Sequence, residues 1–329
     1  RLRADESYRR HPEIRDIELR DPLVVTGLQR SGTTLLHRLL ASDPNNRAVL
    51  GWEGMDPAPA LTPGLELFGA RAKKGVFAER TLRYLAPDFF AVHPVEALAA
   101  EEEITLLDHS FLSTVSEATY HVPSYAAWLE KVDQRPAYLY LRRMIKLLSH
   151  QQRSAKPRTW VLKTPHHLEN FDSLFAVFPD ARVVWTHRDP VVTVASFCSM
   201  VAHGRGVFSD VVDPLEIGRH WLRKIGRMLG SAQRERDAHV GGSFVDVPYR
   251  ELLRDPIAVA QDIYQHAGRP LTAQATAAMR SHLANNPQHR HGRHRYRLED
   301  FGLSPGTVAE ALAPYRARYA ELIRAAPKA

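Results

Sequence analysis

Residues 23–40, LVVTGLQRSGTTLLHRLL, decide how the rest of the chain is read. Leu23-Val24-Val25-Thr26 is an apolar run rich in β-branched residues, the pattern of a short buried strand. Gly27 and Gly32 follow, then Thr33 and Thr34. Leu35, Leu36, Leu39 and Leu40 recur at helical spacing, which predicts a helix with one apolar face. A strand that passes through a glycine loop into a helix start makes an anion site. The first backbone N–H groups of the helix have no intrahelical acceptor, and the helix dipole adds partial positive charge there. Small loop residues let the backbone come close to the anion.

The position of the cation narrows the ligand. A nucleotide-binding P-loop ends in Gly-Lys-Ser/Thr, and its Lys reaches the outer phosphates. Here Thr33 stands at the Lys position, and the cation is Arg30, inside the loop. Arg30-Ser31-Gly32-Thr33-Thr34 resembles the 5′-phosphosulfate loop of the sulfotransferases that use 3′-phosphoadenosine 5′-phosphosulfate (PAPS). The resemblance implies an α/β fold with a P-loop-like central parallel sheet flanked by helices. It also implies in-line sulfuryl transfer from PAPS to a hydroxyl, with Arg30, Ser31, Gly32, Thr33 and Thr34 holding the 5′-phosphosulfate and no metal required.

Further segments carry the same resemblance. In that family an Arg at a strand end and a Ser on the next helix contact the 3′-phosphate, and Arg188 and Ser196 have the matching spacing. The bland alternative for Arg188 is a local salt bridge with Asp189. Leu162-Lys163-Thr164 resembles the family's strand-end Lys, whose charge balances the leaving group. Tyr249 resembles the Tyr that borders the adenine, and Arg290-His291-Gly292 resembles the loop closing over the 3′-phosphate, with His in place of Lys. The matches run from about residue 23 to 302 and look closest to a bacterial branch.

The intervening chain fits one domain over 1–329. Residues 1–21 read as a charged N-terminal arm with little to pack. Residues 47–56 read as a second short strand running into a loop, and 65–152 as a helical insertion or cap rich in aromatic residues. Trp160-Val161-Leu162, Arg182 to Thr186 and Ser243 to Val247 read as strands alternating with helices, hence a parallel sheet. Ligands of such sheets bind beyond the carboxyl ends of the strands. The loop at Arg30, Lys163, Arg188 and Tyr249 all follow strands, so they are expected to converge.

Transfer to a hydroxyl calls for a general base. Small-molecule members of the family use a His two residues after the Lys, but that position is Pro165 here. His166 and His167 follow it. Tyrosylprotein members use a Glu, and Glu53 in Gly51-Trp52-Glu53-Gly54 is the matching carboxylate. Glu53 is therefore the first candidate, with His166 or His167 second and His93 and Glu102 in the cap as outside candidates.

Bulk properties agree with an anionic small-molecule ligand. Lys and Arg number 44 against 37 Asp and Glu, a formal charge of +7. The basic residues are dispersed and lack interleaved aromatics, which argues against nucleic acid. Their one dense cluster, at 289–297, suits an anion loop better than a Zn site at His289, His291 and His294. Cys198 is the sole cysteine, so a reducing, cytoplasmic setting is expected, with the thiol packed in the core. No apolar run nears the length of a bilayer span, although membrane contact stays open, as does a segment preceding Arg1. The acceptor is a small-molecule hydroxyl: lipid, aryl alcohol or sugar. The competing readings are a P-loop kinase or NTPase, which would want Lys at position 33, and a non-catalytic nucleotide-binding module.

Overall fold

Five strands lie side by side in the computed structural model: β1 (Leu23–Gly27), β2 (Asn46–Arg47), β3 (Thr159–Lys163), β4 (Arg182–His187) and β5 (Phe244–Pro248). Their order is β2-β3-β1-β4-β5, and every pairing is parallel. The structure describes residues 1–60, 68–152, 157–239, 243–286 and 296–324. In β1 side chains alternate between two cores, as the pleat requires. Leu23 and Val25 pack with Leu36, Leu39, Leu40, Val259, Ile263 and Met279 on one face. Val24 joins Leu162, Val183 and Trp185 on the other, with Met144, Phe171 and Trp221 from the covering helices. Both faces are covered, so the strands read as continuous apolar runs.

Register sets the geometry of the site. Val25 is opposite Lys163, Gly27 is opposite Thr186, and His187 is opposite Pro248. The residues that leave these strands therefore emerge along one edge of the sheet.

The expected second strand is only two residues long, and the chain then forms the helix Gly51–Met55. The cap is helical as read: Phe68–Leu85, Pro87–Val92, Ile104–Asp108, Val115–Thr119, Pro123–Leu129 and Arg135–Gln151. The N-terminal arm, expected to pack little, instead docks. Its helix Leu2–Arg10 buries Ala4 and Tyr8, the Tyr8 hydroxyl donates to the Arg143 carbonyl at 2.8 Å, and Ile14 is fully enclosed. Cys198 is buried as expected, and that burial pushes its thiol up to about 12.

Leu39 is fully buried in the helix Thr33–Ala41, whereas Leu35 of the same helix is half-buried. Leu39→Ala is expected to lower the unfolding free energy by about 2–5 kcal/mol, read from urea titration, and Leu35→Ala by less.

His37, one turn along that helix, is also enclosed, with its Nε2 donating to the Val161 carbonyl at 3.2 Å. Burial, then the nearby Lys163 charge, push its pKa down to about 3. The folded protein keeps this ring neutral, so its contribution is complete above the unfolded value near 6.5 and erodes as pH falls toward 3. Each such group removes roughly 1.4 kcal/mol per pH unit across that window. Stability measured against pH is expected to decline more shallowly there for His37→Gln than for the parent.

Candidate active site

After β1 the chain turns sharply at Gly27, where an added Cβ would lie 2.3 Å from the Thr186 Oγ1. Arg30 takes a left-handed backbone conformation, φ 69°, as does Gly32, φ 90°. Holding a non-glycine residue there costs about 1–3 kcal/mol. The strain is offset locally: the Arg188 guanidinium donates to the Arg30 carbonyl at 2.7 Å. At Gly32 a Cβ would meet the Tyr249 ring at 2.9 Å, so only glycine lets Tyr249 pack on the loop. Arg188 in turn lies over that ring, 4.1 Å from its centroid. Loop, Arg188 and Tyr249 thus form one interlocked unit, as the strand ends predicted.

The helix Thr33–Ala41 begins here, and its first intrahelical bond runs from the Leu36 amide to the Gly32 carbonyl. The amides of Thr33, Thr34 and Leu35 therefore point past the helix end without an intrahelical acceptor. Among the described residues no carboxylate pairs with Arg30 or Arg188. Asp189 instead takes a forked contact from Arg316, at 3.0 and 3.1 Å, which removes the local Arg188–Asp189 bridge.

Lys163 is buried at the end of β3. Its Nζ lies 2.5 Å from Glu102 Oε1 and 3.4 Å from the Thr34 hydroxyl, beside the loop. Its backbone N–H donates to Glu103 at 2.6 Å. Glu103 also holds the His167 Nε2 at 2.7 Å, and the Tyr138 hydroxyl meets the His167 Nδ1 at 2.7 Å.

Beside these groups lies a cavity of about 1000 Å³, whose wall takes in Thr34 and Glu102 but not Lys163, Glu103 or His167. One end is lined by Arg30, Gly32, Thr33, Thr34, Arg188 and Tyr249. The other is apolar, with Phe89, Ile104, Val115, Phe197, Met200 and Trp221 in its wall. Glu102, which meets Lys163 beside Thr34, lines the cavity too, as do His93 and His166. Burial pushes the His166 pKa down to about 3, and its Nδ1 has no partner among the described residues. Burial likewise lowers the His93 pKa, against the raising influence of Glu102.

The candidate bases need correction. Glu53 is 1% exposed and outside the cavity wall. Its oxygens accept from Arg47 at 2.8 Å, the Leu50 amide at 3.0 Å and Gln152 at 2.9 Å, so it is a structural carboxylate inside the helix Gly51–Met55. His167 has both ring nitrogens occupied by Glu103 and Tyr138 and likewise has no face on the cavity. Ser31 turns inward, its hydroxyl on the Leu28 carbonyl at 2.5 Å and the Thr186 hydroxyl at 2.6 Å. Ser196 is buried on the helix Pro190–Gly206 and is not in the wall. Arg290 and Gly292, with the Zn ligands considered at 289–294, lie outside the described residues. Glu102, only an outside candidate by sequence, is the carboxylate at the junction. Of the adjacent Glu101, Glu102 and Glu103, Glu102 alone lines the cavity.

Comparison with known proteins agrees with this geometry. The family model described as "Sulfotransferase family" matches residues 22–273. The omega-hydroxy-beta-dihydromenaquinone-9 sulfotransferase Stf3 of Mycobacterium bovis is 25% identical over 292 residues, which cover 84% of this chain and 70% of the relative. The crystal structure of sulfotransferase STF1 from Mycobacterium tuberculosis H37Rv has 33% identity and a TM-score of 0.77, over 95% of this chain and 82% of that one. Sulfotransferase STF9 from Mycobacterium avium has 29% identity and a TM-score of 0.84, over 97% and 81%. With strand-end cations, glycine loop and matched length all in agreement, the chain belongs to the sulfotransferase family, whose chemistry is sulfuryl transfer.

Proposed function

We propose that this enzyme takes its sulfuryl group from PAPS and delivers it to the hydroxyl of a small apolar alcohol, with Glu102 as the general base. The observation that carries the reading is one cavity whose wall joins the loop cations to a large apolar surface, with Glu102 in that wall and Lys163 paired to it from behind.

The residues fit a 3′-phosphorylated donor. Arg30 and the free amides of Thr33, Thr34 and Leu35 hold the 5′ side, Arg188 the 3′-phosphate, and Tyr249 gives the base a flat apolar face. When bound, PAPS supplies an activated sulfuryl group with a good leaving group. Lys163 places a fixed ammonium beside Thr34, where it neutralises charge that develops as the bond to the donor breaks. Glu102 accepts the proton of the acceptor hydroxyl. Its contact with the Lys163 ammonium at 2.5 Å aims the carboxylate at the junction. His166, neutral and with a bare Nδ1, offers the hydroxyl a second polar contact.

The apolar end selects the rest of the acceptor. Its wall is mostly apolar, with Asp108 and the hydroxyls of Thr114, Ser116, Thr119 and Tyr120 as its polar groups, so an apolar acceptor finds more matching surface there than a sugar does. An alkyl or polyprenyl alcohol gains roughly 25 cal/mol for each Å² of apolar surface buried. The name of the Stf3 relative, a hydroxylated menaquinone sulfotransferase, is in keeping with such an acceptor.

Turnover should be assayed with PAPS and a series of alcohols of rising chain length, with a matched sugar as the contrast. Activity that rises with chain length is expected; preference for the sugar would overturn the acceptor reading. Glu102→Gln is expected to lower kcat by about 10²–10⁴-fold while calorimetric binding of 3′-phosphoadenosine 5′-phosphate is kept. An unchanged kcat would remove Glu102 as the base. Arg188→Ala is expected to weaken that nucleotide roughly tenfold or more, with a much smaller effect on its 3′-dephospho analogue. Equal weakening of the two would show that Arg188 does not read the 3′-phosphate.

A further inference from the structure

The helix Phe68–Leu85 has two unlike faces. Arg71, Gly75 and Leu82 turn inward: Arg71 lies over the Trp52 ring at 5.1 Å, Gly75 abuts Trp52, and Leu82 lines the cavity. Lys73, Phe77, Arg80 and Tyr84 recur three to four residues apart on the opposite face, and all are exposed. Phe77 is 71% and Tyr84 84% exposed. Lys74 and Leu85 flank this stripe and are exposed as well. The helix carries Arg71, Lys73, Lys74, Arg80 and Arg83 against a single acid, Glu79, which is engaged by Arg83 at 2.9 Å and the Ala97 amide at 2.9 Å. Aromatic rings interleaved with Lys73 and Arg80, which have no acidic partner among the described residues, match the chemistry of an anionic lipid interface: rings enter the headgroup boundary while cations meet the phosphates.

The cavity's own opening has the same character. Phe208 and Tyr120 are wall residues, yet Phe208 is 60% exposed, and their rings pack at 5.1 Å. Val211, just beyond, is also exposed. The helix Pro87–Val92, which follows Leu85, packs against the helix Pro190–Gly206 through Phe89 and Gly204. The basic-aromatic helix and the apolar opening are therefore joined through one packed segment.

We infer that the outer face of the helix Phe68–Leu85 docks on an anionic bilayer, so that a lipid alcohol enters the apolar end of the cavity directly from the membrane. This rests on the proposed apolar acceptor, but the docking can be tested without it. No helix among the described residues is long and apolar enough to cross a membrane, so the contact is peripheral.

The test is sedimentation of the full chain with vesicles of phosphatidylcholine alone and of phosphatidylcholine with equimolar phosphatidylglycerol. Binding to the second is expected and should fall as salt is raised. Lys73→Glu with Arg80→Glu should weaken it at least about tenfold. Phe77→Ser with Tyr84→Ser should weaken it by an amount that salt does not change. Circular dichroism confirms the fold of each variant, and all should turn over a soluble short-chain alcohol at the parental rate. With the acceptor embedded in vesicles, both double variants should lose rate. Absence of parental binding to anionic vesicles, equal binding by the variants, or a face that proves to be a self-association surface in ultracentrifugation would each overturn the proposal. If the parent pelleted with vesicles but turned over no alcohol, the acceptor reading would fail and the docking would stand.

Discussion

Everything at the reaction centre depends on how the cap grips Lys163. Lys163 is 2% exposed, and a buried charge without a partner costs several kcal/mol. Glu102 supplies the partner for the side chain, while Glu103, its neighbour, takes the Lys163 backbone N–H. Adjacent residues of one cap segment thus hold the same lysine by its two ends. The cation is stable in its position only when the cap is docked, so assembly of the apolar chamber and assembly of the charged site are one event. Lys224 repeats the device further out. Fully buried, it lies 2.8 Å from Glu169, at the end of the turn that carries His166, and 3.6 Å from Glu117 in the wall helix Val115–Thr119.

The buried pairs are also the reason for the order within the site. Glu103 is shared between the Lys163 amide and His167, and His167 is capped by Tyr138 from the helix Arg135–Gln151. Such a network is rigid only when each member is satisfied. It fixes the 3₁₀ turn Pro165–Glu169, and that turn presents His166 to the cavity. The turn is therefore held by Glu103, His167 and Tyr138, polar groups outside the cavity wall.

What could be read from the chain beforehand follows the range of the interactions. The glycine loop, the strand-end cations and Tyr249 are legible because each depends on a local turn from strand to helix, and parallel register brings them together without further information. The general base is not local. Glu53 has the spacing of a known carboxylate, but its state is decided by Arg47 and by Gln152, which lies 99 residues away. His167 is removed from chemistry by Glu103 and Tyr138, both in the cap. The cap's short helices have no clean period: Ile104–Asp108 is five residues long, and the chain turns after it at Phe111 with a left-handed backbone, φ 59°. The same loss of period left Glu102 an outside candidate behind Glu53. The arm was misjudged for a related reason: Ile14 and Tyr8 are isolated apolar residues in a charged stretch, and only the helix Arg135–Gln151 gives them a surface.

The two ends of the cavity answer to different constraints. The donor end is built from strand termini whose positions are set by sheet register, so its residues have little freedom to move without disturbing β1, β3 and β4. The acceptor end is built from helix faces, where exchange of one apolar side chain for another of similar volume costs less than about 1.5 kcal/mol. Such an arrangement keeps donor recognition constant while the cap varies. It also explains why a chain only 25% identical to the menaquinone sulfotransferase can share its chemistry without having to share its acceptor. On the proposed reading, acceptor identity is a property of Phe89, Val115, Met200, Trp221 and their neighbours, which line the chamber.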